Sequence, residues 1–271
     1  MTVDDWLAVL AAELRRRGVE PGPVLAEAAA HLRDSGETPL RVFGGPGEYA
    51  AAVAESLRGA TWVLDRPPSR ALRLEASKIT KKYGRSTVLD GVDLRVHAGE
   101  VVAIVGANGC GKSTLLRICA GLVCPDSGTV QVHGRLGYCP QEGGVAELLT
   151  PDEHFVLVGA GRGFSRTKAR SAGRTAAAAL DWPGARRAGV ARHLSGGTRQ
   201  KLNLVLSGLG DPDVLLLDEP YQGFDQGSYL DFWQRVWAWR SAGKAVVVVT
   251  HLLNELDRVD TVLDLTPTVA R

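Results

Sequence analysis

The apolar stretch Val101–Val105 runs directly into Gly106-Ala107-Asn108-Gly109-Cys110-Gly111-Lys112-Ser113, and an apolar helical segment opens at Thr114-Leu115-Leu116. The pattern Gly-x4-Gly-Lys-[Ser/Thr] carries meaning only between a strand and a helix, and here it has both. Backbone amides of the glycine turn and of the helix N-terminus then face one point and can wrap a phosphate. Lys112 can reach phosphate oxygens, and Ser113 can ligate Mg²⁺. The unit also restricts the fold. A strand apolar on both faces, followed by a helix, belongs in a mostly parallel sheet covered by helices.

The rest of the chain fits that architecture from Leu72 onward. Strand-length apolar runs occur at Leu72–Ala76, Val92–Val96, Val101–Val105, Thr129–Val132, Val214–Leu217, Val246–Val249 and Val262–Leu265, several of them separated by helical stretches. Between Thr150 and Leu194 the chain reads as helical and rich in Ala and Arg, within a helical subdomain of about 145–200. Thr150-Pro151-Asp152-Glu153 is a helix start, with Thr as cap, Pro in the first turn and Glu three residues on. Residues 1–57 read as a separate helical domain. Leu7, Leu10 and Leu14, then Val24, Leu25, Ala28 and Leu32, recur at helical spacing. Pro21-Gly22-Pro23 separates two helices, His31-Leu32 closes the second, and a third covers 48–57. Residues 58–71, with Pro67-Pro68, read as a linker.

Two further segments carry chemistry. Val214-Leu215-Leu216-Leu217 ends in Asp218-Glu219, and a buried strand should not end in two carboxylates unless they meet a cation or a polar ligand. Asp218 is placed to hold Mg²⁺ through water, and Glu219 to polarise an attacking water. About 80 residues after the first glycine turn comes a second, Leu194-Ser195-Gly196-Gly197, before a helix read from Thr198. It can offer bare amides and a hydroxyl to an anion.

Set in this order, the motifs resemble the nucleotide-binding domain of the ABC transporter family, over residues 72–271. The resemblance implies an α/β P-loop NTPase of the ABC-ATPase fold: a mostly parallel core sheet, an antiparallel β subdomain and an α-helical subdomain, here with a small N-terminal all-α domain added. It implies ATP and Mg²⁺ as cofactors. Gly106, Asn108, Gly109, Cys110, Gly111, Lys112, Ser113 and Thr114 match the phosphate loop. Tyr83 matches the aromatic residue that stacks on adenine. Gln141 matches the glutamine that senses Mg²⁺ and links the site to the membrane partner, so Ser113, Gln141 and Asp218 form the implied metal set. Ser195, Gly196 and Gly197 match the signature motif, Asp225 the acid of the loop after the carboxylate strand, and His251 the switch histidine at the γ-phosphate. Glu219 and His251 are the implied catalytic pair. Thr198 stands where a glutamine is frequent, and the 29 residues from Lys112 to Gln141 imply a trimmed sheet subdomain.

The resemblance further implies a head-to-tail dimer (homodimer, or pseudo-dimer with a related ATPase subunit) enclosing two ATP. It implies a separate transmembrane permease, an export direction, and a peripheral place on the cytoplasmic face of the membrane. Two other readings stay open: a soluble ATPase of this type that remodels a protein or nucleic acid, and a nucleotide-gated regulatory module. A net charge of +2 gives no argument for nucleic acid, and no apolar run approaches the ~20 residues of a membrane span. No secretory signal is read at the N-terminus. Residues 1–57 bear a fainter resemblance to the three-helix HAAS domains of some bacterial membrane-associated proteins. Between 161 and 192 eight basic residues face the single acid Asp181, which suits either a solvated helix face or contact with anionic headgroups or acidic partner loops. Cys110, Cys119, Cys124 and Cys139 lack metal-ligand spacing and read as reduced thiols. Cys110 is either an oxidation-sensitive thiol acidified by the helix N-terminus or a small residue filling a tight loop.

Overall fold

The computed structural model describes residues 2–58 except 20, 23, 26–27, 30–31 and 33–37, and residues 71–266 except 183, 186–187 and 251–257. His31, His251 and most of the expected linker lie outside the described residues. The chain forms two compact units, Met1–Arg66 with His251–Val262, and Pro67–Thr250 with Leu263–Arg271.

In the first unit, helix α1 (Val3–Arg16) starts at a capping box in which Thr2 and Asp5 exchange backbone-to-side-chain bonds of 3.1 Å. It stops at Gly18, φ +76°, whose left-handed backbone lets Gly18 N reach Arg15 O at 3.0 Å and Val19 N reach Leu14 O at 2.9 Å. Arg16 and Arg17, at the helix end where cations are favoured, pair with Glu13. Pro21 and Gly22 are themselves helical, so they open the second helix and do not merely separate it from the first. That suits proline, whose missing N–H costs nothing in a first turn. Helices α2 (Pro39–Val42) and α3 (Pro46–Arg58) complete the described helices here. Trp6 is fully buried, stacks on Phe43 with centroids 5.4 Å apart, and donates Nε1–H to Gly44 O at 3.0 Å. Leu10, Leu14, Ala28, Leu32 and Val53 close this core.

The second unit holds two sheets. An antiparallel sheet has the order β2 (Ser86–His97), β1 (Leu72–Tyr83), β4 (Ser127–Val132). Strands β1 and β2 run longer than their apolar cores predict, because polar residues such as half-buried Lys81 and exposed Lys82 continue the ladder. A five-stranded sheet has the order β5 (Leu136–Cys139), β6 (Val214–Asp218), β7 (Ala245–Val249), β3 (Val101–Val105), β8 (Thr261–Asp264). Strands β6 and β7 are buried throughout, as continuous apolar runs require of a parallel sheet covered on both faces. Strand β5 has no counterpart among the predicted runs. It contains Gly137, where a Cβ would sit 2.0 Å from Ser207 O, so the close approach of another backbone removed the apolar signal.

Register sets the position of the site. Ile104 and Asp218 both lie opposite Val249, and Cys139 lies opposite Leu217. The carboxyl ends of β3, β5, β6 and β7 are therefore level, and the segments after them emerge along one edge, where ligands of open α/β sheets bind. Helices α4 (Lys112–Cys119), α5 (Pro151–Gly161), α6 (Arg166–Ala178), α7 (Gly196–Gly208) and α8 (Gln226–Ser241) complete the unit. Helix α5 starts at the predicted capping box of Thr150 and Glu153.

Candidate functional site

The loop after β3 is built on left-handed glycines: Gly106, Gly109 and Gly111 have φ of +140°, +80° and +106°. Gly111 caps α4, and a Cβ there would stand 2.8 Å from Val88 O and 2.7 Å from Leu89 Cδ2 of β2. The β1–β2 hairpin thus seats directly on the loop. At the end of β1, Tyr83 is 53% exposed, with Lys81 Nζ 5.6 Å from its ring centre. Asn108 and Gly109 are exposed at the loop tip, while Lys112 is buried and donates to Gly106 O at 2.7 Å and Ala107 O at 3.0 Å. Thr114 lies half-buried in the first turn of α4.

Ser113 Oγ donates to Asp218 Oδ1 at 3.1 Å, joining the loop to the end of β6. Asp218 is fully buried, and among the described residues its Oδ2 has no hydrogen-bond partner. Burial pushes this carboxyl above its ordinary range, the neighbouring Glu219 adds to the effect, and the Ser113 hydroxyl opposes it. Glu219 takes a left-handed backbone, φ +46°, and its Oε2 accepts from Gln141 Nε2 at 3.0 Å. Residues 78 positions apart are thereby brought into one cluster with Ser113 and Asp218.

The second glycine turn has a split character. Ser195 caps α7, accepting from Thr198 N at 3.2 Å, so the helix starts two residues before the predicted Thr198. Gly196 is exposed, and an added Cβ would meet nothing within 4 Å. Gly197 is different: a Cβ there would lie 2.3 Å from Gly223 O. Ser195 and Gly196 are exposed, and half-buried Gly197 has no room for a side chain beside the Gly223 loop. Among the described residues no hydrogen bond joins this turn to the phosphate loop. Asp225 caps α8 through Ser228 N at 2.8 Å, and that bond holds its carboxyl below the usual range.

The acidified-thiol reading of Cys110 is overturned. Its pKa is pushed up by burial, against a smaller lowering by Lys112. Its Sγ lies where a Gly106 Cβ would come within 2.8 Å, so the thiol fills the loop. The basic stretch is partly internal as well, with Arg174 clasping Asp152 through Nε at 2.9 Å and a second bond from Nη2. Two buried amides that the sequence did not flag, Gln200 and Asn203, sit behind the Gln141 loop. A cleft of about 450 Å³ opens on the same side, lined by Arg117, Tyr138, Glu142, Val158, Arg162 and Asn203 among others.

The fold and this edge define a P-loop nucleotide-binding cassette. Residues 89–222 match the family model described as ABC transporter. The chain is 36% identical over 210 residues to the daunorubicin/doxorubicin resistance ATP-binding protein of Streptomyces peucetius, covering 72% of this chain and 62% of that protein. It is 32% identical over 200 residues to the Nod factor export ATP-binding protein I of Paraburkholderia xenovorans, covering 69% and 65%. Among solved structures it is similar to an ATP-binding subunit of an ABC transporter (TM-score 0.65, 26% identity, 71% of this chain and 85% of that one). It is equally similar to a dimeric bacterial ABC transporter cassette (TM-score 0.65, 25% identity, 71% and 94%). The chain belongs to the ABC transporter ATP-binding family, whose members bind and hydrolyse ATP. It spans less than two thirds of the length of these two curated relatives. Among the described residues no helix is long and apolar enough to cross a membrane, and no group of three His, Cys, Asp or Glu forms a metal cluster.

Proposed function

We propose that this chain is an ATP-hydrolysing subunit that powers a separate transmembrane permease in the export direction. The cluster Ser113–Asp218 and Gln141–Glu219 at one sheet edge carries the reading, since it unites a phosphate loop, a cation seat and a base. The amides of Gly106–Ser113 and Lys112 bind the β- and γ-phosphates, and Tyr83 stacks on adenine. Asp218, with an unpartnered buried oxygen, fits a cation, and Ser113 and Gln141 join it in holding Mg²⁺. Bound there, Mg²⁺ neutralises charge on the phosphate oxygens, and a small protein ligand set suits an ion that keeps waters and phosphates in its shell. Glu219 orients and deprotonates the attacking water, and His251 contacts the γ-phosphate.

In this reading Ser195, Gly196 and Gly197 face the nucleotide of a second protomer, so the active unit is a head-to-tail homodimer or a pseudo-dimer with a related subunit. The cleft beside the Gln141 loop receives the permease, which holds the chain at the cytoplasmic face of the membrane. Residues 1–57 form an accessory docking or regulatory domain, 58–71 its linker, and 72–271 the cassette. Export follows the two curated relatives, one named for drug resistance and the other for Nod factor export. Nucleic acid has no part. The test is Glu219→Gln: ATP affinity is kept while hydrolysis falls by about 10² or more. Undiminished turnover would sink the assignment.

A further inference from the structure

Gln141 sits on the loop Pro140–Gly144, and two buried amides of α7 hold that loop from behind. Gln200 and Asn203, one helical turn apart, are 5% and 3% exposed. Gln200 Nε2 donates to Pro140 O at 3.2 Å and lies 3.5 Å from Glu219 O. Asn203 Nδ2 donates to Gly143 O at 2.9 Å and to Gln200 Oε1 at 3.2 Å. The carbonyls on both sides of Gln141 are therefore tied to one helix. The loop closes tightly on it: at Gly144, φ +79°, a Cβ would sit 2.5 Å from Asn203 Oδ1.

That helix begins at Ser195 and Gly196, and Gln141 in turn donates to the Glu219 carboxylate at 3.0 Å. A displacement of α7 then moves the carbonyls flanking Gln141 and, through its amide, the carboxylate. Buried amide groups make this link stiff, because an unmade bond leaves the Gln200 or Asn203 side-chain donor, each nearly fully buried, without its partner.

We propose that Asn203 and Gln200 are positioning residues that set the Gln141–Glu219 geometry from the helix of the second glycine turn. Contact at Ser195–Gly196 is thereby reported to the catalytic carboxylate of the same chain. This rests on the ATPase reading above. Neither amide touches the nucleotide in this scheme, so their loss acts on turnover and not on binding.

The experiment compares the full wild-type chain with Asn203→Ala, Asn203→Asp and Val205→Ala in steady-state Mg-ATP hydrolysis, nucleotide binding and thermal unfolding. Asn203→Asp keeps the size and replaces the donor with an acceptor. Both Asn203 variants should lose about tenfold in kcat, with KM and ATP affinity within about twofold of wild type. Val205→Ala loses buried packing on the same helix and should lower Tm while kcat stays within about twofold. Wild-type kcat in Asn203→Ala, or an equal fall in Val205→Ala, overturns the inference alone. A wild-type chain that binds ATP without hydrolysing it overturns the ATPase reading, and the inference with it.

Discussion

Gly196 and Gly197 are adjacent, yet alanine should act on them in opposite ways. At Gly197 the new Cβ would stand 2.3 Å from Gly223 O and 3.2 Å from Gly223 C, both backbone atoms. The Gly223 loop must retreat by about 1 Å, and close-packed regions answer such insertions with a cost of about 2 kcal/mol. For a unit of this size that is a fall in Tm of about 4–8 °C. At Gly196 the Cβ meets nothing within 4 Å and the backbone is already helical, so alanine should be neutral or raise stability by about 0.5 kcal/mol. If Gly196 faces a nucleotide across a dimer, the same methyl blocks the approach of its amide to phosphate. Gly196→Ala is then expected to fold normally, bind ATP as a monomer and fail in hydrolysis. Thermal unfolding by circular dichroism, nucleotide binding by fluorescence and phosphate release measure the three arms. An unchanged Tm for Gly197→Ala would refute the close-approach argument. Wild-type hydrolysis by Gly196→Ala would reduce the segment to a turn.

Asp225 combines a cap with a charge, and two substitutions separate them. Asp225→Asn keeps a side-chain acceptor for Ser228 N and should hold Tm, whereas Asp225→Ala should cost about 1 kcal/mol; a matching fall in Tm for both would contradict the cap. The folded carboxyl is held below its unfolded pKa, so its contribution is present above that unfolded value and is lost as pH falls through the folded one. Asp225→Asn should flatten that acid limb in a pH series of unfolding. Because burial keeps the Cys110 thiol protonated at neutral pH, mild peroxide should leave the ATPase rate unchanged over the assay; inactivation that Cys110→Ser prevents would reverse that view.

The legible parts of this chain are those where one residue type answers one physical demand. Glycines with Lys112 and Ser113 announced the phosphate loop, and Val214–Leu217 ending in acids announced the carboxylate edge. Thr150 and Glu153 marked a helix start that the hydrogen bonds reproduce. What escaped depends on tertiary approach. Strand β5 is hidden because Gly137 admits the Ser207 carbonyl, and the packing of Gly197 against Gly223 cannot be seen from sequence. Gln200 and Asn203 look like ordinary polar helix residues until Pro140 and Gly143 are placed against them. Cys110 misled for a related reason. The helix N-terminus is visible in sequence, but the burial that outweighs it is not.

Two costly residues of the fold stand side by side. Asp218 is a fully buried carboxyl with one unpartnered oxygen, and Glu219 adopts a left-handed backbone that costs a side chain about 1 kcal/mol or more. Both follow Val214–Leu217, every one of them fully buried and locked in register between β5 and β7. A strand anchored on both sides can hold a desolvated carboxylate and a strained glutamate at its end, where a loop would relax. The same two features that tax stability are what a bound cation and an attacking water would use. Oδ2 of Asp218 would gain a partner from a bound cation, and the turn at Glu219 aims its carboxylate to within 3.0 Å of the Gln141 amide. Strain and desolvation at adjacent residues of one strand end argue for chemistry there, since sequence alternatives that avoid both costs are available to any strand without a ligand to meet.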